Sequence, residues 1–242
     1  QASWNFERYD LRTGINFEAI RVHDYGNLDV EKLNSKELFD TVKTFTSTIL
    51  RKQKIPIALG GDHSITPGIV SAFPKDIAVL SLDAHMDFRQ EYKNDIYNHA
   101  CVIRRIADHI PVENIAVLGL RSAEKEECQQ AQKQGLFFRD AFTINNTGLK
   151  TIIKQTKTLL KGKKIYLTLD IDVVDPAYAP GTSTPEPCGL TPMQVIEIIE
   201  VFSPQLIGCD LVEVCPPYDQ GQTAVLAAKL IKIYLSLMGK ER

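Results

Sequence analysis

Ile77-Ala78-Val79-Leu80-Ser81-Leu82-Asp83-Ala84-His85-Met86-Asp87 is an almost continuous apolar run that breaks, without a turn residue, into acid and imidazole at every second position. A run this short and this apolar reads as a strand covered on both faces, the kind found in parallel sheets. Working outward, runs rich in Ile, Val and Leu also fall at 19–23, 55–59, 115–120, 165–169 and 206–214. Segments with apolar residues at helical spacing lie between them, at 35–52, 67–73, 101–110, 123–134, 148–160 and 191–202, and 223–238 reads as a long apolar-faced helix. The alternation predicts an α/β fold with one doubly wound, mainly parallel sheet and helices on both faces; functional residues should gather beyond the carboxyl ends of the strands. No Gly/Ser linker or repeat divides residues 1–242, so a single domain is expected. Two helix starts carry cap chemistry, Ser122 ahead of Lys125-Glu126 and Thr191-Pro192.

Composition narrows the function. The chain has 242 residues, 44% of them hydrophobic, which suffices for a full core and excludes a disordered chain. Lys+Arg number 28 against 30 Asp+Glu, a formal net charge of -2 that offers phosphate backbones no attracting field, so nucleic acid is not an expected partner. No apolar run approaches the ~18 residues of a membrane span. The five cysteines (Cys101, Cys128, Cys188, Cys209, Cys215) include no C-x-x-C pair and point to a reducing compartment. Residues 1–10 are polar and aromatic and do not read as a signal or transit peptide.

The chemistry sits just after the apolar runs. Gly60-Gly61-Asp62-His63-Ser64 follows 55–59; alone it fits a tight strand-to-helix turn as readily as a site. After the next run, Asp83, His85 and Asp87 would share one face of an extended segment while Ala84 and Met86 point away. Asp170 and Asp172, in Leu169-Asp170-Ile171-Asp172-Val173-Val174-Asp175-Pro176, repeat that spacing, whereas Asp175 before proline is more simply a turn residue. Such charges on buried strand ends are costly without a cation between them. His63, Asp83, His85, Asp87, Asp170 and Asp172 exceed the needs of one ion and fit a bridged pair, and a mixed imidazole and carboxylate set with no thiolate suits Mn²⁺. With a hydroxide between two divalent ions the cluster stays net negative, and an acid such as Glu213 would deepen that, so a cationic substrate fits better than a phosphate ester.

GGDHS at 60–64, DAHMD at 83–87, LDIDVVDPAYAPGTSTPEP at 169–187 and EVCPPYD at 213–219 resemble the ureohydrolase (arginase/agmatinase) family, with the agmatinases nearest. The resemblance runs from about residue 60 to the carboxyl end and includes Gly119-Leu120-Arg121-Ser122 and the Thr223-Ala224-Val225-Leu226-Ala227-Ala228 helix. It implies an arginase-like fold and a pair of Mn²⁺ ions per chain. His63, Asp83, Asp87 and Asp170 would hold one ion and His85, Asp83, Asp170 and Asp172 the other, with Asp83 and Asp170 shared. Water activated between the ions would attack a guanidinium carbon, releasing urea and an amine. Glu213 would hold the guanidinium, and His99 would transfer a proton or contact substrate. The resemblance further implies a small cationic guanidino substrate, agmatine first, a cytoplasmic setting and a homo-oligomer, a trimer or hexamer. Family members usually carry a Gly-rich, Arg-containing segment ahead of the first run seen here, so this sequence is expected to lack it, and position 183 is Ser where many relatives have Gly.

Alternatives remain at this stage. Arginase and guanidinobutyrate hydrolase are the near ones. A zinc deacetylase would need a mononuclear site, which His63 and the full Asp-x-His-x-Asp oppose, and an inactive metal-binding regulator would not need the intact ligands and His99. His99 also reads as a helix-start residue facing solvent, and His23 and His109 read as structural. Arg89, where arginases have an Asn that binds the α-carboxylate, is expected to be tied up by Glu91 or Asp95 rather than aimed at substrate.

Overall fold

In a computed structural model, which describes residues 6–240, the chain builds one six-stranded parallel sheet and a separate small hairpin. Of the polar-aromatic start, residues 1–5 lie outside the described residues. The hairpin pairs β1 (Tyr9–Asp10) with β2 (Ile15–Asn16). The sheet holds β3 (Ile57–Leu59), β4 (Ala78–Leu82), β5 (Ile115–Leu120), β6 (Phe137–Asp140), β7 (Ile165–Asp170) and β8 (Leu206–Val212) in the order β3-β8-β7-β4-β5-β6. From β4 the chain proceeds outward to β5 and β6, then returns to the other side of β4 for β7 and β8. The order therefore reverses between β4 and β7, where the carboxyl ends of neighbouring strands leave a crevice.

Both faces are covered. Alternate residues of β4 separate into two apolar clusters: Ala78, Leu80 and Leu82 pack with residues of α5 (Ala141–Thr147), α6 (Leu149–Leu159), α7 (Pro192–Phe202) and α8 (Gln222–Lys240). Val79 packs the other way, among residues of α1 (Ser35–Arg51), α2 (Thr66–Val70), α3 (Val102–Ala107) and α4 (Lys125–Lys133). This period of two with apolar residues on both sides is why the runs read as near-continuous.

Four expectations need correction. The run 19–23 is not a strand; its first residue ends a 3-10 turn over Phe17–Ala19, and Val22 is exposed, because these apolar residues alternate with charge and find no sheet neighbour. β6 and α5 went unread, since Phe-Phe-Arg-Asp on a half-buried edge strand is a weak signal. Ser122 caps nothing: Glu124 is the N-cap of α4, in a reciprocal box with Glu127. The run 206–214 ends as a strand at Val212, because Glu213 turns into the left-handed region at φ 62°. Thr191 does cap α7, with Gln194 reaching back.

Candidate metal centre

The loops after β3 and β4 and the end of β7 with the turn after it supply the candidate ligands, and the residue after β8 closes the site. After β3, Gly60 and Gly61 take φ of 97° and 76°, a reversal that residues with a Cβ rarely make, and Asp62 then caps the turn His63–Ile65. His63 is thereby delivered, fully buried, over the carboxyl end of β7. Its Nδ1 lies 3.1 Å from Asp83 Oδ2, 3.3 Å from Asp170 Oδ2 and 3.5 Å from Asp87 Oδ2. His85 Nδ1 lies 2.9 Å from Asp172 Oδ2 and 3.8 Å from Asp83 Oδ1.

The convergence does not come from strand pleating as the spacing implied. β4 has ended before Asp83, and Asp87 sits at φ 49°, a strained conformation for a non-glycine residue. Asp170 is the last residue of β7, while Asp172 lies in the turn Ile171–Val173, its N–H donating to Asp170 Oδ1 at 2.9 Å. Ala84 and Met86 are both buried, Met86 in the apolar cluster that holds Val79.

Ligand-type atoms fall into two groups that share Asp83, His63 with Asp83 and Asp170, and Asp83 with His85 and Asp172, each with its atoms within 4.8 Å of one another. His63 Nδ1, Asp83 Oδ2 and Asp172 Oδ2 are buried and have no hydrogen-bond partner, although their neighbours are within contact distance. Lone pairs that face one another across about 3 Å in a buried cluster are what a cation between them would satisfy. The donor set therefore fits a pair of divalent ions held by imidazole and carboxylate. Without cations the charge is balanced by protons. Burial and the Asp87 charge lift Asp83 to about 7. Burial opposes charge on His85, but Asp172, Asp83 and Asp87 outweigh it and raise the imidazole to about 9.

Glu213 closes one side. Its Oε1 accepts from the His63 N–H at 2.8 Å and its Oε2 from Ser183 Oγ at 3.2 Å; burial pushes its carboxyl up from the usual range. The Ser183 contact was not foreseen, and the small side chain there was the only hint. His99 opens the turn His99–Cys101, half exposed, with Nδ1 3.7 Å from Asp62 Oδ2, and that neighbour raises its pKa. His23 instead stacks edge-on with Tyr25, and His109 Nε2 meets the Phe73 carbonyl.

Arg89 is engaged, but not by Glu91 or Asp95. Its guanidinium lies over Tyr92 and 3.7 Å from both Glu124 and Glu127, whose helix start the misplaced cap had obscured. The roles of two residues escaped the sequence reading, although Arg121 stands in one of the motifs quoted for the resemblance. Arg121 donates to the carbonyls of Gly119, Asp172, Val173, Glu186 and Pro187, so one half-buried guanidinium staples the loop that follows β7. Asp210, buried in β8, accepts from three hydroxyls. Its signal was an acid inside an apolar run, beside a strand reading Tyr-x-Thr.

The arginase family model matches residues 1–236. An agmatinase of Halalkalibacterium halodurans is 33% identical over 96% of this chain and 81% of its own length. A guanidinobutyrase of Pseudomonas aeruginosa is 34% identical over 92% of this chain and 73% of its own. Among solved structures, the agmatine ureohydrolase of Thermoplasma volcanium superposes with a TM-score of 0.93 at 38% identity, covering 99% of this chain and 80% of that one. Fold, sequence and an Asp-rich crevice at the strand reversal agree: the chain belongs to the arginase family of ureohydrolases.

Proposed function

We propose that this chain hydrolyses agmatine to putrescine and urea with about two Mn²⁺ per chain. The observation that carries the reading is the pair of ligand groups sharing Asp83, with the Glu213 carboxylate fixed beside them. His63, Asp83, His85, Asp87, Asp170 and Asp172 would hold the ions, which supply Lewis acidity and a nucleophilic water near neutral pH. Glu213 accepts N–H bonds from the guanidinium; its two present donors leave lone pairs free for a charge-assisted, bidentate contact. As water adds to the guanidinium carbon and the C–N bond to the alkyl chain breaks, the departing amine needs a proton. His99, kept protonated to higher pH by Asp62, stands at the rim as its donor. The five free cysteines fit a reducing, cytoplasmic compartment.

Agmatine lacks the carboxylate that arginine and 4-guanidinobutyrate carry. Burying that carboxylate beside acids needs a dedicated cation, and Arg89, the nearest one in sequence to the metal loop, is spent on Tyr92, Glu124 and Glu127. The test is urea release from agmatine, arginine and 4-guanidinobutyrate, with and without Mn²⁺, on wild type and Arg89→Ala. Agmatine should lead by kcat/KM in both proteins. A carboxylate-bearing substrate that wins on wild type and loses its lead in Arg89→Ala would make this a guanidino acid hydrolase, as the guanidinobutyrase likeness would have it.

A further inference from the structure

Asp210 has no role in the reaction outlined above, yet it is a fully buried carboxylate with no ion pair among the described residues. Burying such a charge is costly unless hydrogen bonds replace its water. Here three hydroxyls do so: Oδ1 accepts from Thr168 at 2.6 Å, and Oδ2 accepts from Thr66 at 2.9 Å and Tyr166 at 2.8 Å. Tyr166 and Thr168 lie on β7 opposite Gly208 and Asp210 of β8. Gly208 makes room for the ring, since a Cβ there would come within 3.0 Å of it.

A threonine hydroxyl has one proton, and that of Thr168 is committed to Asp210. Thr168 Oγ1 also lies 2.8 Å from His63 Nε2, where it can therefore only accept. The neutral imidazole must then carry its hydrogen on Nε2, which leaves a lone pair on Nδ1, the atom that faces Asp83 and Asp170. We propose that Asp210, acting through Thr168, is a positioning residue that fixes His63 in the Nε2–H tautomer and so presents Nδ1 to a cation. The inference rests on the reading of His63 as a metal ligand. It explains why a carboxylate is kept in the sheet behind the site: an ionised acceptor ranks above imidazole for the threonine proton, whereas an apolar residue would let Thr168 turn its proton toward His63.

The test titrates Mn²⁺ alone into the metal-stripped full chain and follows free Mn²⁺ by electron paramagnetic resonance. Thr168→Val keeps the shape and removes the hydroxyl; it should weaken one ion by about 10–100-fold while the other stays near wild type. Thr168→Ser should bind both ions as wild type does. Tyr166→Phe takes a donor from Asp210 but leaves the Thr168 hydroxyl, so it should lower Tm without a comparable loss of affinity. Wild-type affinity in Thr168→Val, or equal weakening in Thr168→Val and Tyr166→Phe, would overturn the proposal. An Asp83→Ala variant that binds Mn²⁺ like wild type would instead overturn the metal reading itself. Should Thr168→Val not fold, ¹⁵N-histidine spectra of the Cd²⁺-loaded wild type decide: a proton on His63 Nε2 with the metal on Nδ1 supports the proposal, and the reverse arrangement refutes it.

Discussion

Asp83 and His63 are both fully buried and 3.1 Å apart, yet their removal should have different consequences. Asp83 belongs to both ligand groups and His63 to one. Asp83→Ala should therefore abolish activity and bring bound Mn²⁺ well below that of the wild type, for which the proposed function expects about two per chain. His63→Asn should weaken chiefly one ion and recover part of its activity in excess Mn²⁺; metal analysis after gel filtration separates the two outcomes. His99 carries a pH prediction. Asp62 raises its pKa, so the protonated imidazole that the proposed reaction would use persists above the ordinary value of ~6.5. In Asp62→Asn the alkaline limb of kcat/KM should move toward lower pH, and an unmoved limb would remove His99 from the proton path.

Arg121 acts on a whole element, because its carbonyl partners come from the end of β5, the turn after β7 and residues 186–187. Arg121→Leu takes a donor from each of those carbonyls, of which Val173 keeps the Leu190 N–H, and a loss of about 3 kcal/mol is expected in urea unfolding, with faster hydrogen exchange and proteolysis over 171–189. Such tertiary ties explain where the sequence was legible and where it was not. β4, β5, β7 and β8 announced themselves because both faces of each are buried and mostly apolar side chains fill them. The acids and histidines of the crevice were legible because a strand end with alternating charge has few other uses. β6 sits at the sheet edge with every residue half-buried, so its composition was under little constraint. Asp210 and Arg121 were hidden for a different reason: their partners are hydroxyls and backbone carbonyls far away in sequence, and a one-dimensional pattern does not record those.

Across the molecule, the small hairpin is tied to the last two helices. Asp10 Oδ1 accepts from the N–H groups of Arg12 and Thr13 and its Oδ2 from Lys229 of α8, while Arg12 pairs with Glu200 of α7. Burial opposes the Asp10 charge, but Thr13 and Lys229 outweigh it and hold the pKa below its ordinary value. A depressed folded-state pKa contributes stability above the unfolded value of ~3.9 that disappears as pH falls through the folded one. Asp10→Asn should thus be about 1–3 kcal/mol less stable than wild type at neutral pH, with the gap narrowing below about pH 4 in urea titrations. The reversal of strand order between β4 and β7 has a consequence in time. His63 and the β7 residue beneath it are 105 positions apart, so the two ligand groups exist only after the return crossing has brought β7 beside β4. Contacts of such long range are paid for late in folding. Bound Mn²⁺ should accordingly leave the refolding rate of the stripped chain almost unchanged and slow its unfolding, the kinetic signature of a clasp that locks a finished fold and does nothing to nucleate it.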